Sequence, residues 1–112
     1  MLIYKIFRQS EWDDLVAAGE TAGAPIDLID GYIHFSTAAT VRETATKHFA
    51  GAEGLILVTV ESDSIADALK WEVSRGGAEF PHLYRKLLLT EVQSHAPLPL
   101  HDGVHVFAEG IA

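Results

Sequence analysis

The sequence predicts an α+β domain, and three observations lead there. Two helical stretches with apolar stripes lie in the first half, five or more strand-like stretches are spread along the chain, and no repeat or low-complexity segment interrupts them. With 112 residues and a hydrophobic fraction of 48%, the chain suffices for one modest core. A single domain over 1–112 is expected.

Residues 2–7 (LIYKIF) alternate as a first strand, with Leu2, Tyr4 and Ile6 on one face and Ile3, Lys5 and Phe7 on the other. Lys5 is the odd member of an apolar face. It either reaches into water from a strand edge, the simpler reading, or presents its ammonium to a cleft. Ser10 opens a helix with Asp13 three residues on, Trp12, Leu15 and Val16 form its burying stripe, and Gly19 stops it. Residues 19–31 (GETAGAPIDLIDG) carry three glycines and a proline and read as a long loop, of the kind that often serves as a lid or binding segment.

The stretch Asp30-Gly31-Tyr32-Ile33-His34-Phe35-Ser36-Thr37 is the centre of the chain. Asp-Gly gives a turn, and period-two order then sets Tyr32, His34 and Ser36 on one strand face and Ile33 and Phe35 on the other. Thr37 is placed to cap a second helix, with Thr40-Val41-Arg42-Glu43 a competing start. Val41, Ala45, His48 and Phe49 share one face of that helix, which Gly51 ends; His48 there complements the helix dipole, a structural role preferred over a functional one.

The uninterrupted apolar run Leu55 to Val60 marks a central strand buried on both faces. Ser62-Asp63-Ser64 begins a short turn. Leu69 to Val73 then alternates, with Leu69, Trp71 and Val73 expected inward and Lys70 and Glu72 outward. After an Arg75-Gly76-Gly77 loop, Phe80, His82 and Tyr84 share a face of an extended stretch whose Pro81 marks an edge or a strand start. Leu87-Leu88-Leu89 is a short strand or a helical turn, Glu91 to His95 a further strand, and Val104 to Phe107 a final edge strand.

The formal net charge is −8 and is not gathered into a tail. Without a basic run or stripe, binding to a nucleic-acid backbone is not expected. A local cationic pocket around Lys5, Arg8, Arg85 and Lys86 remains open as an anion site. The absence of cysteine excludes disulfides, thiolate metal sites and a thiol nucleophile. The N-terminal residues lack the features of a signal peptide and the longest apolar run is too short to span a bilayer, so a soluble, cytoplasmic chain with no membrane partner is expected. Oligomeric state is left open.

Two stretches place imidazole and phenol on one strand face: Tyr32, His34 and Ser36 in the first, His82 and Tyr84 in the second. If their strands are neighbours, one polar pocket results, suited to a planar ring or sugar hydroxyl, or to acid–base chemistry. The alternative is that both histidines only tie loops to the sheet. A metal set of His34 and His82 with Asp30 or Glu72 is weakly supported, and no metal is assigned. Ser36 has no GxSxG elbow, and no glycine-rich phosphate loop is present.

The combination of Ile3-Tyr4-Lys5-Ile6, Trp12, the DGYIHFST string, Trp71-Glu72 and Phe80-Pro81-His82-Leu83-Tyr84 resembles the bacterial domain of unknown function 952 family, over about residues 2–98, with 99–112 as a tail. That family is in turn remotely similar to ADP-ribosyltransferase-like folds. The resemblance implies a split, mostly antiparallel β-sheet with two helices near the N-terminus, and NAD bound in a cleft between two small sheets. It also implies site roles. Lys5 takes the first-strand slot, Ser36-Thr37 the second-strand motif, and Glu72 the late acid that steadies an oxocarbenium-like sugar. His34 and His82 join Glu72 as the candidate catalytic set. Tyr32, Tyr84, Lys5, Ser36 and Thr37 are the candidate ligand-binding set, with NAD the implied cofactor and a small molecule the implied partner. A metabolite-binding module without turnover, or a degenerate fold used for protein contacts, is the alternative function.

Overall fold

The computed structural model describes residues 1–108 and 111, without the side chain of Arg75. The chain begins with β1 (Leu2–Arg8), α1 (Gln9–Ala18), β2 (Glu20–Thr21) and α2 (Pro25–Asp30). It continues through β3 (Ile33–His34), β4 (Ser36–Thr37), α3 (Val41–His48) and β5 (Leu55–Glu61). After a 3₁₀ turn at Ser62–Ile65 come β6 (Leu69–Val73), β7 (Glu79–Leu83) and β8 (Leu87–Leu88). A second 3₁₀ turn at Leu89–Glu91 leads to β9 (Val92–Leu98), β10 (Leu100–His101) and β11 (Val104–His105). The fold is mixed α and β with antiparallel pairing.

The apolar run in β5 decides the architecture. Every residue from Leu55 to Val60 is buried, because β5 lies inside a four-stranded sheet of order β4-β1-β5-β9 that is covered on both faces. On one face Ile3, Phe7, Ile56, Val58 and Val60 pack with Trp12 and Leu15 of α1. Ile33, Phe35 and Leu83 close that side from the second sheet. On the other face Tyr4, Ile6, Leu55 and Leu57 meet Val41 and Ala45 of α3. Pro97, which cannot donate to a ladder, sits in the edge strand β9.

The second sheet has the order β3-β7-β6, and the central stretch joins it to the first. Ile33 and His34 pair with Leu83 and His82 of β7, whereas Ser36 and Thr37 pair with Tyr4 and Ile3 of β1. One residue, Phe35, separates the two pairings, and its N–H donates to the Pro81 carbonyl at 3.0 Å. The chain changes sheets there. Past Tyr4, β1 therefore runs on to Arg8 without β4 beside it, and the sheets diverge.

Several expectations need correction. Residues 19–31 are not one loop: β2 pairs with β8, and α2 follows, so three helices are present among the described residues. The second predicted helix starts at Val41 with Thr40 at its cap, not at Thr37. Val16 is half-exposed. Trp71 and Val73 are 40% and 70% exposed because β6 is an edge strand that overhangs the core. Lys5 does not reach into water: it is 6% exposed, and its ammonium turns to Asp27 beside the cleft, the second of its two expected readings. The C-terminal strand β11 pairs with β10 alone and joins neither large sheet. Its His105 ring reaches the Phe49 carbonyl through Nε2 at 2.8 Å, holding the hairpin to the end of α3.

Candidate functional site

The site is built around a carboxylate. Pro25 opens α2 in a position where its missing N–H costs nothing. Asp27, two residues later, turns its side chain back to accept the Ala24 N–H at 2.8 Å through Oδ2. The same oxygen meets the Lys5 ammonium at 2.7 Å. Oδ1 accepts the His34 backbone N–H at 3.1 Å and faces His34 Nδ1 at 2.5 Å. Four donors thus converge on a side chain with no exposure. Burial alone would raise this carboxyl, but the His34 hydrogen bonds and the Lys5 charge hold it below the usual carboxylate range. Gly23 is required next to it: its φ is +105°, and a Cβ there would stand 2.3 Å from Asp27 Oδ2.

His34 and His82 face each other across the β3–β7 pair, with ring centroids 5.3 Å apart. His34 Nε2 lies 3.0 Å from Asp30 Oδ2, so both of its ring nitrogens face carboxylates. His82 Nδ1 lies 2.9 Å from Glu72 Oε1, an oxygen that also accepts the Tyr84 hydroxyl at 2.6 Å. The Tyr32 ring is set against His34, His82 and Tyr84, with centroid separations of 4.6, 4.2 and 5.1 Å. Two imidazole–carboxylate pairs therefore share one aromatic neighbour.

These contacts shift the titrations of the second pair. The hydrogen bond that the Tyr84 hydroxyl donates to Glu72, aided by burial and by the carboxylate's charge, pushes that hydroxyl up to about 12, because ionising it would lose the bond and set two negative charges together. Glu72→Gln should return the Tyr84 titration toward its ordinary value of 10.0, read as the pH dependence of its ring carbon shifts by NMR. An unchanged titration would mean that the Tyr84–Glu72 bond is absent in solution.

Burial lowers His82 below the ordinary imidazole value of 6.5, against the opposing pull of Glu72. An imidazole whose folded pKa is depressed binds its proton first in the unfolded chain, so stability rises with pH through this window. The prediction is a loss of stability as pH falls below 6.5, before Asp27 and Glu72 begin to take protons. Urea unfolding at pH 7 and pH 5 should show a smaller difference for His82→Asn than for wild type.

A cleft of about 660 Å³ opens where the sheets diverge. Its lining includes Lys5, Arg8, His34, Ser36, Phe80 and His82. Ser36 Oγ is 2.8 Å from Thr44 Oγ1, another lining group. Tyr32 and Tyr84 line a separate hollow of about 250 Å³, together with Arg85 and Lys86. Glu72 lines neither and reaches the cleft only through His82. Thr37 also lines neither; its N–H donates to Thr40 Oγ1 at 3.0 Å.

The structure thus brings Lys5, His34, Ser36 and His82 into one space and places Tyr32, Tyr84, Glu72 and Thr37 around it. The proposed four-residue cationic pocket does not form as one site. Arg85 is held by Asp67 and Glu91, and Lys86 by Glu20. Among the described residues no group of three or more histidine, cysteine or carboxylate side chains is placed to hold a metal ion. No helix among them is long and apolar enough to cross a membrane. Asp27, which organises the site, was missed; the Ala-Pro-Ile-Asp order, with proline able to open a helix and an acid in its first turn, is the signal that would have found it.

The crystal structure of protein CC0527 from Caulobacter crescentus is similar, at 50% identity and a TM-score of 0.91. That match covers 95% of this chain and 94% of the other. The solution structure of CC0527 matches at 51% identity and a TM-score of 0.83, over 92% and 90% of the two chains. No curated protein matches the chain. Residues 6–95 match the family described as Protein of unknown function (DUF952), and the chain belongs to that family.

Proposed function

We propose that the cleft between the two sheets binds an NAD-like or ADP-ribosyl ligand. The observation that carries this reading is the sheet change at Phe35, which leaves the outer half of β1 beside an open cleft and sets Ser36 and His34 at its wall. The space is in the usual range for small-molecule and cofactor sites, roughly 300–1,000 Å³. Its chemistry is mixed in a way that suits a nucleotide. The Arg8 guanidinium, with its side chain 54% exposed, offers a charge for a phosphate, Phe80 offers an apolar surface for a ring, and Ser36 with the two histidines offers hydrogen bonds to sugar hydroxyls.

A second reading, a binding module without turnover, is favoured by one observation. The groups a transferase would use are already engaged: the Lys5 ammonium with Asp27, both nitrogens of His34 with carboxylates, and Glu72 with Tyr84 and His82. Glu72 does not line the cleft, so to steady positive charge on a ribose carbon it would have to act through His82 or move.

Thermal shift with NAD, ADP-ribose and nicotinamide, on wild type and Arg8→Gln, tests the binding. A ligand present at a hundred times its dissociation constant should add about 2.7 kcal/mol, and the shift should shrink in the variant. Stabilisation followed by nicotinamide release supports transfer, and stabilisation without release supports the module. No shift with any nucleotide ends the proposal.

A further inference from the structure

Among the described residues no strand pairs with the outer edge of β6, which is chemically self-complementary, and we infer that it pairs with the same strand of a second copy of this chain. β6 ends the β3-β7-β6 sheet. Its register on β7 sets Leu69 opposite Leu83, Trp71 opposite Pro81, and Val73 opposite Glu79. Three hydrogen bonds fix which way these residues point. Tyr84 N–H donates to Ala68 O, Ser74 N–H donates to Ala78 O, and the Pro81 carbonyl is taken from the other side by Phe35 N–H. In an antiparallel ladder, that pattern makes all three pairs the non-hydrogen-bonded kind. The N–H and C=O groups of Leu69, Trp71 and Val73 therefore point away from β7, to the open edge.

A two-fold axis through Trp71 satisfies them. Trp71 exchanges both bonds with its own counterpart, and Leu69 exchanges both with Val73 of the second copy. The side chains agree with that register. Lys70 comes opposite Glu72 of the second copy, and Glu72 opposite its Lys70, in the closer non-hydrogen-bonded positions. The other even registers that keep the outward groups in step set Lys70 against Lys70 or Glu72 against Glu72, or leave both charges unmatched. A lysine on an edge strand ordinarily discourages pairing. Spaced about Trp71 from a glutamate, it instead selects one register. The apolar side chains left exposed, Trp71 at 40% and Val73 at 70%, are covered in this register, Trp71 by its own counterpart and Val73 by Leu69 of the second copy.

The joined sheet has β3, β7 and β6 from each copy. Lys70 and Glu72 lie on its histidine face, so the second copy's Lys70 comes beside the carboxylate that holds His82. The contact is a short one, so a concentration-dependent dimer is expected rather than an obligate one.

Sedimentation equilibrium up to millimolar concentration, with amide exchange by NMR, tests the inference. Wild type should approach twice the chain mass, with protection appearing at the Leu69, Trp71 and Val73 amides as concentration rises. Lys70→Glu should weaken association on the order of tenfold at low salt. Trp71→Pro removes an outward N–H but no bond to β7, and should abolish association; unfolding melts of both variants confirm that they remain folded. A wild type that stays monomeric at millimolar concentration overturns the inference and leaves the edge to some other strand. So does a dimer in which these amides exchange freely, or one that both variants leave intact.

Discussion

Asp27→Ala is expected to cost roughly 3–5 kcal/mol of stability, the usual penalty for removing one partner of a buried ion pair. The loss has a specific source. Lys5 is left as an ammonium with 7% side-chain exposure and no counter-charge, the Ala24 N–H loses its acceptor at the start of α2, and both His34 donors lose theirs. Because domains of this size are stable by only about 5–15 kcal/mol, the variant should unfold at much lower urea concentration than wild type. Lys5→Met combined with Asp27→Leu should recover only the part of the loss that comes from the stranded ammonium, because the Ala24 and His34 donors stay without their acceptor. If Asp27→Ala alone unfolds within 1 kcal/mol of wild type, the buried pair is not what holds α2 to the sheets.

Phe35→Ala should cost a comparable amount, about 3–5 kcal/mol, through the cavity it leaves. Phe35 is 1% exposed and packs among Ile3, Phe7, Ile33 and Leu83, residues of both sheets. Its removal empties the place where the two layers meet. Urea unfolding gives the size of the effect. A second readout separates this site from an ordinary core position: the amide of Ile33, on the strand that pairs only with β7, should exchange faster relative to those of β5. Equal acceleration throughout would mean that Phe35 contributes packing but does not fasten one sheet to the other.

The histidine-bearing face was legible because period-two order survives even in very short strands. His34 and His82 were placed on like faces of two stretches, and the structure pairs those stretches directly. The break inside the central stretch was not legible: alternation continues through Phe35 while the pairing partner changes from β7 to β1. Pattern reports which way a side chain points, not which neighbour its backbone joins. Helix α2 was missed because six residues show no helical period, and its exposed Ile26, Leu28 and Ile29 look like no amphipathic stripe. Trp71 and Val73 were expected inward on alternation alone. They alternate correctly, but the edge strand extends past the core it faces. Lys5 was read correctly as exceptional, but the preferred reading, an ammonium in water, gave way to the alternative of one turned toward the cleft, since its counter-ion lies in the segment read as a loop.

The strand order of the larger sheet also bears on how the polypeptide is made. β1 precedes both of its neighbours, β4 and β5, in the chain, and β5 in turn waits for β9. During synthesis β4 can reach only Ile3 and Tyr4, so residues 5–8 stay unpaired until β5 is available, and the sheet gains its last strand only when Leu98 has emerged. Chains that stop short of β9 hold uncovered strand edges, so the risk of aggregation is concentrated in the interval before that strand emerges.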